Sequence, residues 1–347
     1  MSRDPKRSCF VLAQLCLLSG CGVDTSSDPS ISRTARYTLV QSELPGALMS
    51  VSGVDSDDIW FSGGDPGDGT GAFVLHYDGE VFERFDTGVD ADLWWVRAFA
   101  PDNVFFGGSD GTILRYDGDE FRVMDTPGDG TVFGIWGAEP SKLWAVGGDP
   151  ASANPVSFIW RRDGSSWQAV EDLPETDVSS YFKVWGNAND DFRVVGAEGV
   201  ILHYDGYVFT EVNRLTFDTL LTVNTAPDGR YAAVGGLGEA VILEDDGDGW
   251  EKVDVGDLDK ALLGVWLTDS GGHAVGSNGL IAVKTDDGWQ TEEPDDIFVS
   301  EELHAVWTDP DGGTWIVGGD LITPPLTNGV ILHKGNVRPH GIGEYSE

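Results

Sequence analysis

The sequence predicts an all-β protein, a seven-bladed β-propeller of four-stranded blades whose last blade is closed by the N-terminal strand. Three observations predict this fold. A glycine recurs seven times at spacings of 44, 40, 49, 39, 41 and 42 residues. Each interval holds apolar runs of strand length separated by Gly- and Asp-rich turns. The last interval lacks its fourth run, and the N-terminal region supplies one, as a closed ring of repeated sheets requires.

The first 21 residues are typical of a secretory signal. Arg3, Lys6 and Arg7 precede an apolar stretch from Cys9 to Leu18, which is too short to span a bilayer. The last four of the 21 residues, Leu18-Ser19-Gly20-Cys21, resemble the bacterial lipoprotein box. The resemblance implies cleavage before Cys21, diacylglycerol on its sulfur and an acyl chain on its new amino group, which together give stable membrane anchoring.

Residues 22–35 are small and polar, and we expect them to form a flexible tether. Gly22, rather than Asp, follows the cysteine, which resembles the pattern that directs lipoproteins toward the outer membrane. Cys21 is the only cysteine left after cleavage, so the fold must hold without disulfides. We therefore expect a lipid-anchored protein of the bacterial cell envelope, at the outer rather than the inner membrane.

The propeller is expected to span residues 36–338. The repeated glycine ends the second strand of each unit, at Gly63, Gly107, Gly147, Gly196, Gly235, Gly276 and Gly318. The fourth strand follows an Asp-Gly turn and opens with an aromatic residue, as at Asp78 and Phe82. Asp-Gly favours the left-handed conformations of a hairpin turn.

The seventh unit offers three strands and then ends. Tyr37 to Gln41 has the aromatic-to-apolar spacing of the missing fourth strand, so we expect this segment to complete the last blade. Residues 339–347 form a C-terminal tail.

The paired glycines, such as Gly63-Gly64 and Gly147-Gly148, with the Tyr of the third strand and the aromatic of the fourth, resemble the kelch repeat. Propeller repeats of the Asp-box type share such features, and the stretch from Thr308 to Trp315 is similar to an Asp box. Both resemblances imply the propeller fold.

The formal net charge is −38. Such a charge repels phosphate backbones, so nucleic acid is excluded as a partner, and it favours solubility or attraction of cations and basic partners. We expect a monomer.

Connections from second to third strands and from fourth to first strands share one face of a propeller, and here they are the variable ones. Loops that start at Asp65, Glu292 and Asp320 should adjoin, because the first and seventh blades are neighbours. Their acidic residues form the candidate binding face: Asp65, Asp68, Glu292, Glu293, Asp295, Asp296, Glu301, Glu302 and Asp320. A solvated acidic rim is the alternative. Trp94 and Trp95 are either a carbohydrate platform or blade packing.

Catalytic patterns are weak. His76, His203 and His333 share one third-strand position and are expected at the surface, and no nucleophile elbow or phosphate loop is present. No cofactor is expected. The Asp-Gly runs offer closely spaced oxygen ligands, so a structural calcium site is an alternative. No stretch completes a calcium-binding loop, however, and the ligands of such a metal are unknown.

The sequence therefore favours a non-enzymatic binding or scaffold module, with a protein or glycan partner at the envelope. The alternative is a propeller glycoside hydrolase or another carbohydrate-active enzyme that uses two rim acids.

Overall fold

The computed structural model describes residues 35–346, and these form seven four-stranded antiparallel sheets. The expected signal peptide, Cys21 and the expected tether up to residue 34 lie outside the described residues. In six sheets the strand order follows the chain from the inner to the outer edge. The predicted seven-bladed propeller is confirmed.

Each sheet is one blade, and the strands are numbered along the chain. Blades 1 to 3 follow β1 (Arg36–Leu44) and consist of β2 (Leu48–Asp55), β3 (Asp58–Gly63), β4 (Val74–Tyr77) and β5 (Phe82–Phe85); β6 (Leu93–Ala100), β7 (Asn103–Gly108), β8 (Ile113–Tyr116) and β9 (Phe121–Val123); β10 (Thr131–Glu139), β11 (Lys142–Gly148), β12 (Phe158–Asp163) and β13 (Ser166–Ala169).

The remaining blades contain two short 3₁₀ turns, Ala197–Gly199 and Ser277–Gly279. Blades 4 to 7 consist of β14 (Tyr181–Ala188), β15 (Asp191–Gly196), β16 (Ile201–Tyr204) and β17 (Phe209–Glu211); β18 (Leu220–Thr225), β19 (Tyr231–Gly235), β20 (Val241–Asp245) and β21 (Glu251–Lys252); β22 (Leu262–Thr268), β23 (Gly271–Gly276), β24 (Ile281–Thr285) and β25 (Gly288–Thr291); β26 (Glu302–Thr308), β27 (Thr314–Asp320) and β28 (Thr327–Gly335), with β1 as the outer strand.

Strand β1 closes the ring. It pairs antiparallel with β28, with Tyr37 opposite Lys334 and Leu44 opposite Gly329. The closing strand is longer than the expected Tyr37 to Gln41, and it contains two register shifts. Pairing the two ends of the chain in one sheet satisfies the outer edge of β28, which would otherwise be open.

The C-terminal tail strengthens the same closure. Ser346 N–H donates to Phe82 O at 2.9 Å, and Arg84 N–H donates to Ser346 O at 2.8 Å. Gly343 N–H donates to Val40 O at 2.8 Å. The tail therefore joins the outer strand of blade 7 to the outer strand of blade 1.

The repeated glycine has a steric cause. A Cβ atom built on Gly147, Gly235 or Gly318 would lie 2.0 Å from a carbonyl oxygen of the residue that precedes or begins the neighbouring inner strand. No other residue fits at that distance, so these three positions require glycine.

The Tyr-Asp-Gly signature is a hydrogen-bonded turn. In blade 1, Asp78 Oδ1 accepts the N–H groups of Glu80 and Val81 at 2.9 and 2.8 Å, and Tyr77 O–H donates to Gly79 O at 2.7 Å. Gly79 has φ of 91°, as the Asp-Gly pattern predicts. The aromatic residue of the next strand stacks on the tyrosine; the Tyr77 and Phe82 ring centroids are 4.5 Å apart.

Aromatic side chains connect neighbouring blades. Trp60 of blade 1 lies 4.9 Å from Tyr116 of blade 2, and Trp144 of blade 3 lies 5.0 Å from Tyr204 of blade 4, measured between ring centroids. Residues 35–346 contain no cysteine, so this packing and the closure of the ring hold the fold together.

Closure of the ring gives the first testable prediction. Leu44 of β1 is 2% exposed, whereas Leu39 of the same strand is 37% exposed. We expect Leu44→Ala to lower the free energy of unfolding by about 2–5 kcal/mol, because it leaves a cavity in the closing blade. Leu39→Ala should cost about 0.5 kcal/mol or less. Urea denaturation measures both, and equal losses would contradict the packing role assigned to β1.

Candidate functional site

The variable connections form one face of the propeller, called here the loop face. They are the connections from second to third strands and those from each outer strand to the next inner strand. At the junction of blades 7 and 1, Ala47 N–H donates to Leu326 O at 3.0 Å, and Gly64 N–H donates to Ala47 O at 2.9 Å. The loops of the first and seventh blades therefore adjoin, as expected.

Three of the predicted acidic residues lie together. Glu301, Glu302 and Asp320 line a groove of about 410 Å³ between blades 6 and 7, together with Ile322. Glu301 accepts the N–H of Ser300 at 2.8 Å. This acidic groove is open to solvent and holds carboxylates beside an apolar side chain.

The other predicted residues have three different surroundings. In the blade 1 loop, Asp68 forms an ion pair of 2.8 Å with Arg84, and Asp65 accepts the N–H of Gly67 at 2.7 Å. Glu293, Asp295 and Asp296 are exposed on the connection from blade 6 to blade 7.

Glu292 lies between two blades. Its carboxylate accepts hydrogen bonds from Lys334 Nζ and from Tyr37 O–H, each at 2.7 Å. Burial opposes ionisation of this carboxyl, but the hydrogen bonds of Lys334 and Tyr37 hold its pKa below the usual value. Glu292 therefore connects blade 6 to the closing strand, and its carboxylate is already engaged within the protein.

Large apolar side chains stand on the loop face, and sequence reasoning missed them. Four such residues are between 81% and 90% exposed: Phe217, Leu237, Phe298 and Ile322. They belong to the connections of blades 4 to 7. The available signal was a bulky apolar residue inside an otherwise polar loop.

A second candidate site lies in the central channel. In every blade the inner strand has a register shift near its start, and one residue bulges there. The seven bulged residues occupy equivalent positions near the starts of the inner strands, and this level is called the mouth of the channel: Met49, Trp94, Phe133, Phe182, Leu221, Leu263 and His304. Trp94 contacts both Phe133 and His304, with centroid distances of 5.4 and 5.8 Å.

Lys183 lies behind this mouth. It is 4% exposed, its Nζ lies 3.7 Å from the centroid of the Trp95 ring, and it donates to Phe133 O at 3.3 Å. Burial lowers the pKa of Lys183 to about 7. Trp94 and Trp95 lie near the channel, and both also pack against core clusters of the blades, so the expected packing role is compatible with the structure.

Two of the histidines that share the third-strand position have different surroundings. His76 Nε2 lies 2.7 Å from Asp58 Oδ1. His333 is buried against Trp315, at 4.6 Å between ring centroids, so the expectation that it lies at the surface is wrong. Within residues 35–346, no group of three or more His, Cys, Asp or Glu side chains could hold a metal ion.

No helix within residues 35–346 has the length and apolar character needed to cross a membrane.

Comparison with known proteins identifies the fold. No protein-family model matches the sequence, and no curated protein is significantly similar to it. Among solved structures, YCF48 bound to D1 peptide superposes with a TM-score of 0.63 at 17% identity, over 87% of this chain and 95% of that one. YCF48 from Cyanidioschyzon merolae gives 0.64 at 16% identity, over 87% and 100%.

A bacterial structure is also similar. The extracellular domain of the hybrid two-component system BT3049 from B. thetaiotaomicron gives a TM-score of 0.60 at 13% identity, over 84% of this chain and 39% of that one. At these identities the likeness shows a shared propeller fold, which hosts many functions. The kelch-like assignment stays a prediction.

The contact between Glu292 and Lys334 predicts a pH dependence. Because the folded-state pKa of Glu292 is lowered, its stabilising effect is present above the unfolded value of 4.5 and is lost as the pH falls through the folded value. We expect Glu292→Gln to flatten the loss of thermal stability below about pH 4.5. The control is the exposed neighbour Glu293, and Glu293→Gln should keep the wild-type dependence of thermal stability on pH. Identical profiles for all three proteins would rule out the proposed contact.

The buried amine of Lys183 predicts a second pH dependence of the same sign, in a neutral to basic range. Its folded-state pKa of about 7 is below the ordinary 10.5, so the unfolded chain binds the proton more tightly between these values. Stability should rise with pH over this range. In Lys183→Met this contribution should disappear, whereas the exposed Lys252→Met should retain it. Thermal unfolding from pH 6 to 10 at constant ionic strength, with each variant compared with wild type, measures the effect.

Proposed function

We propose that this chain is a non-enzymatic recognition module that binds a protein segment on its loop face. The observation that carries this proposal is the acidic groove, where Glu301, Glu302 and Asp320 surround a space of about 410 Å³ next to the exposed Ile322. Phe298, 90% exposed, belongs to the connection that precedes Glu301 and Glu302. Exposed apolar side chains rimmed by charges are typical of protein-binding surfaces.

The charges specify the partner. With a net charge of −38, the protein attracts basic segments over long distances, and the carboxylates of the groove select for Lys and Arg at close range. Bulky apolar side chains of the partner would contact Ile322 and Phe298. A basic segment that carries apolar residues would contact both the carboxylates and the apolar side chains. A neutral glycan would contact only the apolar side chains.

The comparisons support a binding role for this fold. YCF48, which has the same architecture, binds a D1 peptide, and the domain of BT3049 is extracellular. The cellular location of this chain is inferred from its N-terminal sequence, namely the expected signal peptide and Cys21. We propose that lipid on Cys21 holds the propeller at the bacterial envelope, at the outer membrane, with the loop face accessible to partners.

One observation favours the alternative of a glycoside hydrolase. Burial raises the pKa of the Asp92 carboxyl. The backbone N–H of Asp65 donates to Asp92 Oδ1 at 2.9 Å and lowers this pKa in part, whereas the negative charge of the Asp65 side chain raises it. A raised pKa suits a general acid. Turnover on a panel of polysaccharides that Asp92→Asn abolishes would establish this alternative and refute the non-enzymatic proposal.

The binding role is tested with peptides. Linear peptides selected by phage display on the full-length chain should be enriched in Lys, Arg and bulky apolar residues. The variant Glu301→Gln/Glu302→Gln/Asp320→Asn should bind a selected peptide about tenfold or more weakly, because it loses three charge contacts. Fluorescence anisotropy measures the affinity.

A matched control removes the same charge from the opposite face. Asp117, Asp119 and Glu120 lie in the turn before β9, and Asp117→Asn/Asp119→Asn/Glu120→Gln should leave the affinity nearly unchanged. Equal weakening by both variants would show that net charge, and not the groove, determines binding. Selection of peptides without basic residues would contradict the proposed partner.

A further inference from the structure

The interior of the channel carries positive charge in a strongly acidic protein. Behind the mouth, the next alternating positions of the inner strands are Ser50, Trp95, Gly134, Lys183, Thr222, Gly264 and Ala305, then Ser52, Arg97, Trp136, Trp185, Asn224, Trp266 and Trp307. These positions include two cations and no carboxylate.

The two cations lack acidic partners. Among residues 35–346, neither Lys183 nor Arg97 forms an ion pair. Arg97 lies against the rings of Trp185 and Phe99, at 4.8 and 5.1 Å from their centroids, and its buried Nε has no hydrogen-bond partner. Burying an unneutralised cation is costly, so an anion in the channel would be stabilised.

A small cavity lies beside Lys183. It has a volume of about 30 Å³ and is lined by Lys183, Asn224 and the indoles of Trp95, Trp185 and Trp266, among others. Lys183 has three N–H donors, and one of them is directed at Phe133 O. Asn224 Oδ1 accepts the N–H of Leu267 at 2.8 Å, which leaves the Nδ2 donors of Asn224 for the cavity.

We propose that this cavity binds one small monovalent anion, of the size of chloride, held by the ammonium group of Lys183 and the amide of Asn224. The size of the cavity limits the ligand, since about 30 Å³ accommodates roughly one or two water-sized groups. Sulfate, phosphate or the side chain of a partner protein is too large. The aromatic walls exclude bulk water and strengthen the attraction between Lys183 and the anion.

This site is separate from the acidic groove in its residues and in the sign of its charge. Lys183, Trp95 and Asn224 belong to inner strands, whereas the groove is formed by loop residues and strand ends of blade 7 with a residue of blade 6. Loss of the anion site would therefore leave the proposed binding role of the loop face intact.

Bromide identifies the site directly. In crystals of the wild-type protein soaked in sodium bromide, we expect an anomalous-scattering peak at hydrogen-bond distance from Lys183 Nζ. The peak should be lost in Lys183→Met and retained in Lys252→Met, which alters an exposed lysine. An empty cavity in wild-type crystals would overturn the proposal even if Lys183→Met failed to fold.

Solution measurements separate binding from screening of the net charge. Sodium chloride should raise the thermal midpoint of the wild-type protein more than sodium methanesulfonate does at equal ionic strength, because methanesulfonate is too large for the cavity. The excess should saturate with chloride and disappear in Lys183→Met. Equal effects of the two salts on the wild-type protein would refute a specific anion site.

Discussion

Closure of the ring is the constraint on which the rest of the structure depends. Strand β1 pairs with β28, and the C-terminal tail bonds to the outer strands of blades 7 and 1 through Gly343 and Ser346. Without this pairing, blade 7 would expose an open edge. Closure also places the loops of blades 1 and 7 in contact and encloses the channel, because a central channel exists only when the inner strands surround it. The channel is therefore a product of this closure, whereas the acidic groove is formed by residues of blades 6 and 7.

Negative charges lie on the outside of the protein, and two positive charges lie in its channel. Many carboxylates on the outside have structural roles, since Asp78 and Asp205 each accept two backbone N–H groups in their turns. In the acidic groove, Glu301 accepts the N–H of Ser300 and Asp320 accepts from the side chain of Asn328, and neither carboxylate forms an ion pair within residues 35–346. The channel has the opposite sign, with Lys183 and Arg97 surrounded by aromatic rings. The proposed basic partner of the loop face and the proposed anion of the channel both follow from this one distribution of charge.

The mouth of the channel connects the two regions. Leu321 lines the acidic groove and also packs on a cluster that includes Met49, with Trp94 against the same cluster. The loop between β27 and β28 therefore contacts both the groove and the aromatic mouth. Its position is fixed by the hydrogen bond from Ala47 to Leu326, which again depends on the junction of the first and last blades.

The sequence by itself determined the features that arise from local contacts repeated along the chain. Spaced glycines, Asp-Gly turns and the aromatic of the fourth strand specify a blade through hydrogen bonds and sterics among near neighbours, so the blade count, the closing strand and the loop face were predictable. Glu292 shows the limit: its partners Lys334 and Tyr37 are 42 and 255 residues away, so its burial could not be seen in the sequence. Only the tertiary structure decided that Glu301, Glu302 and Asp320 share a groove, and that Lys183 lies unneutralised in a channel whose walls come from several blades.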